Sequence, residues 1–197
     1  MPEQMAYSRR SDANREHLVN AAADLFWKKG YTATSLADIA RQSGVPLGNV
    51  YYYFKTKAAI AEAVGQLLQD QTRDALEAVS AENTTTPARL TALFRLFAAA
   101  NPVRAQSGCP IATACRNFEG QAPDAAKLAG EAFALMRHWI AENLASAGHT
   151  PKQAQHLADD WLARWQGGIT LAHAMNDRAL LDRVTDTLVE EAGILDP

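Results

Sequence analysis

Apolar residues recur along this chain at spacings of three and four, and no run alternates apolar with polar in the β-branched manner of a strand, so the pattern predicts helices throughout and an all-α fold. A first helix opens at Ser11, a good capping residue, and carries Leu18, Ala22, Leu25 and Phe26 on its inner stripe. It stops at Lys28-Lys29-Gly30, where lysines meet the negative end of the helix dipole and glycine supplies a left-handed terminator. Ser35 followed three residues later by Asp38 has the form of a capping box, with Leu36, Ile39 and Ala40 as the buried face of a second helix that Gly44 ends. Val45 and Pro46 make a tight turn before a third short helix, from near Leu47 to about Phe54. Two short helices joined in this way form a helix-turn-helix pattern. Thr56 then caps a long fourth helix from Lys57 to about Ser80.

The polar break SAENTTTP follows, with Pro87 suited to open the next helix, which runs through Ala100. NPVRAQSG reads as a loop, CPIATACRNF as a short helix and EGQAPD as a turn. Two long helices, 124–147 and 151–175, are expected next, then a last one capped by Asp177 and running to about Glu191. No repeat or low-complexity tract interrupts the chain. The division is placed at Lys57, giving a helix-turn-helix domain over 9–56 and a larger helical domain over 57–197, with the fourth helix as connector.

Composition changes the picture in one respect. At 48% hydrophobic, 21% charged and a net charge of −3, the chain is an ordinary globular one, but its charge is uneven. Through Lys57 there are 8 basic and 5 acidic residues; beyond it, 11 basic and 17 acidic. A basic head on an acidic body suits an anionic partner for the head, although a chance unevenness of solvated charges reads the same way. The apolar runs are far shorter than the roughly 20 residues a membrane span requires and the start lacks an apolar signal core, so a cytoplasmic location is expected. Cys109 and Cys115, six apart, would stand roughly 9 Å from one another along a helix. That exceeds the reach of a disulfide, and unbridged thiols suit a reducing compartment.

The candidate chemistry is concentrated in VPLGNVYYYFKTK, Val45 to Lys57. In a helix beginning near Leu47, Val50 and Phe54 share a face with Leu47 and part of Tyr51, and can pack on Leu25, Phe26, Ile39 and Ala40. Gly48, Asn49, Tyr52 and Tyr53 fall on the other side, toward water. Phenol hydroxyls and lysines suit phosphate, as do the free N–H groups of a helix N-terminus. Asn49 suits a base edge, Leu47 or Tyr52 a thymine methyl, and Gly48 permits close backbone approach. The alternative is that Tyr51 to Tyr53 merely rim the core.

These residues carry a resemblance. GYTATSLADIARQSGVPLGNVYYYFKTKAAI is similar, over roughly Leu18 to Ile60, to the DNA-binding head of the tetracycline-repressor (TetR) family of bacterial transcriptional regulators. The resemblance implies a homodimer with three-helix heads on double-stranded DNA and a ligand-binding, dimer-forming body. Position by position it implies that Leu47, Gly48, Asn49 and Tyr52 meet bases, while Ser35, Tyr51, Tyr53 and Lys57 hold phosphates. Ala37 stands where many members carry an arginine, and Leu47 where a polar residue is common, so readout would lean on methyl contacts, Asn49 and DNA shape. The two heads would fit major grooves about 34–36 Å apart on a palindromic operator. An effector favouring the unsuitable spacing would release the protein, acting where the fourth helix meets the body.

In the body, Phe94, Phe97, Phe118, Phe133, Trp139, Trp161 and Trp165, with Met136, His138 and His173, are candidates to line an effector pocket, although at helical spacing such residues equally form core or dimer seam. The last two long helices would pair across the dimer by the same resemblance, Gly167 and Gly168 allowing close approach. SGCPIATACRNFEG places Cys109 at the N-cap of a short helix with Pro110 at its first position. The positive helix end favours a thiolate there, which makes Cys109 a candidate sensor of electrophiles or oxidants and Cys115 plain core. The stretch also resembles a TetR subgroup with GC-P-x-G or GC-L-x-G at this point, Ala112 replacing the glycine.

No GxGxxG, P-loop, HExxH or nucleophile-elbow motif occurs, so the reading is not an enzyme, and no cofactor is expected. His156 and Asp160, four apart, could share a helical face, but two ligands are too few to make a metal site. The expected function is a DNA-binding regulator, a repressor released by a small-molecule or thiol-reactive effector; a helical interaction protein without DNA binding is the alternative.

Overall fold

The computed structural model describes residues 2–195, with side chains from residue 12 onward. Ten helices and no strand occur among the described residues, in agreement with the all-α expectation: α1 (Pro2–Lys28), α2 (Leu36–Ser43), α3 (Leu47–Tyr53), α4 (Lys57–Glu82), α5 (Thr86–Ala99), α6 (Asn101–Ser107), α7 (Pro110–Phe118), α8 (Pro123–Ser146), α9 (Pro151–Met175) and α10 (Arg178–Gly193). No described helix is long and apolar enough to cross a membrane.

Local chemistry explains most of the boundaries. Ser35 and Asp38 form the full capping box of α2, the Ser35 hydroxyl accepting from the Asp38 N–H and the Asp38 carboxylate accepting from the Ser35 N–H, and Gly44 closes the helix at φ 71°. Thr56 caps α4 through the Ala59 N–H at 3.0 Å, and Asp177 caps α10 through the Leu180 N–H at 3.2 Å. Two expectations need correction. α1 runs through Ser11 back to Pro2, so its start is not at Ser11, whose side chain lies outside the described residues. NPVRAQSG is helical rather than a loop: Pro102 sits in the first turn of α6, where its missing N–H costs nothing. The buried Asn101 anchors that turn by donating to Asp182 at 3.0 Å and Thr185 at 2.9 Å.

The chain forms two compact units. One comprises the residues through Gln69 together with Ile111–Gly130; the other comprises Asp70–Pro110 and the chain from Glu131 onward. Packing therefore divides the chain differently from the motif-based cut at Lys57. The first unit has a core of Leu18, Ala22, Phe26, Tyr31, Ile39, Val50, Phe54, Ile60 and Val64, completed by Phe118 of α7, which is fully buried. Phe118 meets Phe26 and Tyr31 edge-on, with ring centroids 5.5 and 5.3 Å away. Gly65 lets α4 approach α8, since a Cβ there would lie 2.8 Å from the Ala125 carbonyl oxygen.

In the second unit α10 packs on α5, α6 and α9 around Leu90, Leu93, Phe94, Trp161, Trp165, Ile169, Leu181 and Leu188. Gly168, expected at a seam between copies, is used within the chain: a Cβ there would meet Leu181 and Val184 of α10 at 3.3 and 3.2 Å, whereas Gly167 has nothing within 4 Å. Cys109 and Cys115 are not disulfide-bonded.

Candidate nucleic-acid interface

The interface is built from two short helices whose positions follow from their burial. Val50 of α3 is completely buried and Phe54, just past the helix, nearly so, and both join Ile39 and Ala40 of α2 and Phe26 of α1 in one core. A seven-residue helix anchored by so few side chains turns the rest of its surface outward. Gly48 and Asn49 are exposed as expected, and so are Leu47 (42%), Tyr51 (49%) and Tyr52 (64%). The expected inward lean of Leu47 and Tyr51 is thus corrected: Val50 and Phe54 fill the core side, with Tyr53 packed partly against it. Tyr53 moves the other way. It is half-buried, packs edge-on against Tyr52 with centroids 5.0 Å apart, and its hydroxyl accepts from Asn14 Nδ2 at 3.4 Å.

Gly48 has nothing within 4 Å of where a Cβ would stand, so its face of α3 is open to a close partner. Ser35 is likewise exposed, at the N-terminus of α2. The capping carboxylate of Asp38 accepts from the Ser35 backbone at 3.0 Å, the Ser35 hydroxyl at 2.8 Å and Lys29 at 3.2 Å, and also from Arg41. Those donors, the Ser35 N–H first, hold the Asp38 carboxyl well below the usual carboxylate range. Much of the positive charge of the head is engaged in this way. Lys28 pairs with Asp24 at 2.5 Å, Lys55 donates to the Tyr51 carbonyl at 2.8 Å, and the Arg15 guanidinium lies 5.3 Å from the Phe54 ring centroid.

Lys57, expected at a phosphate, also makes contacts within the protein. Its ammonium donates to the backbone carbonyls of Tyr31 at 2.8 Å and Thr34 at 3.0 Å, and lies 4.2 Å from the Tyr31 ring centroid. Two of its three N–H donors are thus directed at the turn ahead of α2.

The candidate effector residues separate. Phe118 belongs to the core of the first unit. Trp139, half-buried, donates its indole N–H to Ser80 at 2.9 Å and lines an open cleft of about 510 Å³ together with Arg73, Leu76, His138 and Glu142. Phe97 and Trp165 are stacked 3.9 Å apart at 10°. His173 is exposed, its Nδ1 3.3 Å from the Ala105 carbonyl. Cys109 stands immediately before α7, buried, with its sulfur 3.6 Å from the Gln166 amide nitrogen.

The sequence did not single out Arg104 or Gln166. Arg104 lies over Trp165 at 4.7 Å and Phe97 at 5.6 Å and donates to the Phe97 carbonyl at 3.0 Å. Burial pushes its guanidinium down, with the nearby Cys109 opposing. The available signal was Pro102: read as a helix opener, it puts Arg104 on the last turn of a helix instead of in a loop. His156 and Asp160 are both exposed, Asp160 pairing with Arg164 at 3.0 Å, and no group of three metal-ligating side chains occurs among the described residues.

Comparison with known proteins adds two matches that together span most of the chain. The family described as bacterial regulatory proteins, tetR family, matches residues 18–64, and the family described as transcriptional regulator LmrA/YxaF-like, C-terminal domain, matches residues 87–187. The chain is 27% identical to the HTH-type transcriptional repressor DhaR of Mycobacterium sp. (strain GP1), over 89% of this chain and 90% of that protein. It is also 27% identical to the HTH-type transcriptional regulator LmrA of Bacillus subtilis (strain 168), over 85% and 91% of the two chains. A crystal structure of a TetR transcriptional regulator from Chloroflexus aurantiacus shares the fold with a TM-score of 0.80, at 22% identity over 92% of this chain and 95% of that one.

Proposed function

Because the chain belongs to the TetR family of bacterial transcriptional regulators, we propose that it is a dimeric repressor that grips a palindromic operator through the exposed face of α3 and leaves it when an effector reaches the larger helical domain. The observation that carries this reading is the surface of α3: Leu47, Asn49, Tyr51 and Tyr52 stand exposed around a fully buried Val50. Exposed aromatic area of this kind on so short a helix is poorly explained by packing and well explained by a partner. In this assignment Leu47, Gly48, Asn49 and Tyr52 meet base edges and thymine methyls, while Ser35, Tyr51 and Tyr53 approach phosphates. The functional domains are 9–56 for DNA and 57–197 for effector and partner copy.

For the effector, the open cleft lined by Leu76, His138 and Trp139 is the favoured site, and Cys109, near Arg104 and Gln166, and His173 are secondary. A thiol-reactive effector would act on Cys109, whose surroundings resemble the subgroup with the GCP or GCL motif. Cys109 is 5% exposed, so such an effector must first part its contact with Gln166.

The test is fluorescence anisotropy of the purified protein on duplex DNA from just upstream of its own coding sequence. Asn49→Ala and Tyr52→Ala are expected to weaken binding by at least about tenfold, consistent with roughly 1–3 kcal/mol per base contact, without lowering the melting temperature. Full-strength binding by both variants would refute the assignment of α3. A quinone is expected to release the wild type and not Cys109→Ser; equal release of both would move the effector site away from the thiol.

A further inference from the structure

The lysine at the start of α4 has an occupation inside the molecule that bears on how the interface is held. Tyr31 and Thr34 are 3% and 1% exposed and bracket a turn closed by the Thr34 N–H donating to the Tyr31 carbonyl at 3.2 Å. The Thr34 hydroxyl also donates back to the Gly30 carbonyl at 2.8 Å. This turn delivers the chain directly into Ser35 and the capping box of α2. The Tyr31 ring is fixed between Phe26 and Phe118, with centroids 5.1 and 5.3 Å away, so the turn has a rigid floor. The two carbonyls at its ends lie within reach of one donor group, and a lysine ammonium, with three donors on a flexible stem, can serve both at once. Lys57 does so, and burial pushes its ammonium below the usual lysine value.

We propose that Lys57 is a positioning residue rather than a phosphate contact: it ties the first turn of α4 to the Tyr31–Thr34 turn and so sets where Ser35 and the N-terminus of α2 stand against DNA. The proposal rests on the DNA-binding reading above for its consequence, though the tie itself is independent of it. Displacement of the first turn of α4 reaches Ser35 through two hydrogen bonds and one cation–aromatic contact.

The two roles predict different salt behaviour. A lysine that neutralises a phosphate releases counterions when it binds, so removing it lowers the log–log salt slope by ~0.9 per contact, or ~1.8 for two protomers. A lysine that positions a neutral serine leaves that slope unchanged while affinity falls. The experiment therefore compares wild type with Lys57→Met and Lys57→Gln in DNA titrations between low and moderate salt. In parallel, the Asp38 carboxyl is titrated by NMR without DNA.

The expected result is an affinity loss of about tenfold or more in Lys57→Met, the equivalent of roughly one lost charged hydrogen bond, with an unchanged salt slope. Lys57→Gln, which keeps an N–H able to reach one carbonyl, should fall between. The Asp38 titration should move up in Lys57→Met as the Ser35 N–H is released from its place. A reduced salt slope would overturn the proposal, and so would an Asp38 titration unmoved in a folded variant. If wild type binds no DNA, the DNA-binding reading fails, while the Asp38 titration still decides the tie.

Discussion

The exposed face of α3 and the aromatic cluster of the second unit draw on the same residue types and use them in opposite ways. Around α3, Tyr51 and Tyr52 are held out by a helix fastened through Val50 and Phe54, so their ring area is available to a partner. Around α9, Trp161 and Trp165 are 1% exposed, Phe94 meets Trp161 edge-on at 5.3 Å, and Phe97 stacks on Trp165. The contrast teaches that aromatic content says little about function until burial divides it. A ring on a short, lightly anchored helix is available for recognition, while one on a long helix between two others is committed to the core.

Substitutions can break that comparison, and the largest effect should come from the buried side. Trp165→Ala is expected to lose about 3–5 kcal/mol in denaturant unfolding, the usual cost of deleting a large buried aromatic. Tyr52→Ala should change stability by less than about 0.5 kcal/mol, as exposed positions do, while losing DNA affinity. If both variants behaved alike in either assay, the division between packing and recognition would be wrong.

An intermediate effect belongs to the cap on which the interface stands. Ser35→Ala removes the side-chain acceptor of α2 and should cost about 1 kcal/mol, read by chemical denaturation of the head. The Asp38 carboxyl responds to pH in a direction set by its donors, the Ser35 N–H, the Ser35 hydroxyl, Lys29 and Arg41. Because its folded value lies below its unfolded one, its stabilising contribution is fully present above the unfolded value of about 3.9. That contribution is lost as pH falls toward the lower folded value. Asp38→Asn should therefore flatten the acid side of the stability profile below about pH 4; a profile identical to wild type would show that the cap carries no such linkage. A small effect on stability is expected from Tyr53→Phe. Its hydroxyl contact with Asn14 is long at 3.4 Å, so thermal unfolding should register a loss below about 1 kcal/mol.

How much was legible in advance varied with the range of the interaction involved. The capping box of Ser35 and Asp38, the stop at Gly44 and the caps at Thr56 and Asp177 all came through, because each is decided by one residue's conformation or by a bond between residues three apart. The exposure of Gly48, Asn49 and Tyr52 also followed from helical spacing. Leu47 and Tyr51 did not, since periodicity assigns an angle around the helix and not how much core lies opposite it. The helix at Asn101–Ser107 was missed because its decisive contacts, to Asp182 and Thr185, come from 81 and 84 residues away.

By itself, then, the order of residues determined all the helices but Asn101–Ser107, the helix-turn-helix and the outward places of Gly48, Asn49 and Tyr52, since hydrogen-bond geometry within a turn or two is written in neighbouring side chains. Tertiary structure alone decided that Phe118 completes the core around Phe26 and Tyr31, that Trp165 stacks on Phe97 beneath Arg104, and that Lys57 turns inward to the carbonyls of Tyr31 and Thr34. Such destinations depend on which buried carbonyls and rings are brought within reach when distant segments pack, and a lysine or phenylalanine looks the same in sequence whether its partner is solvent, phosphate or the protein's own backbone.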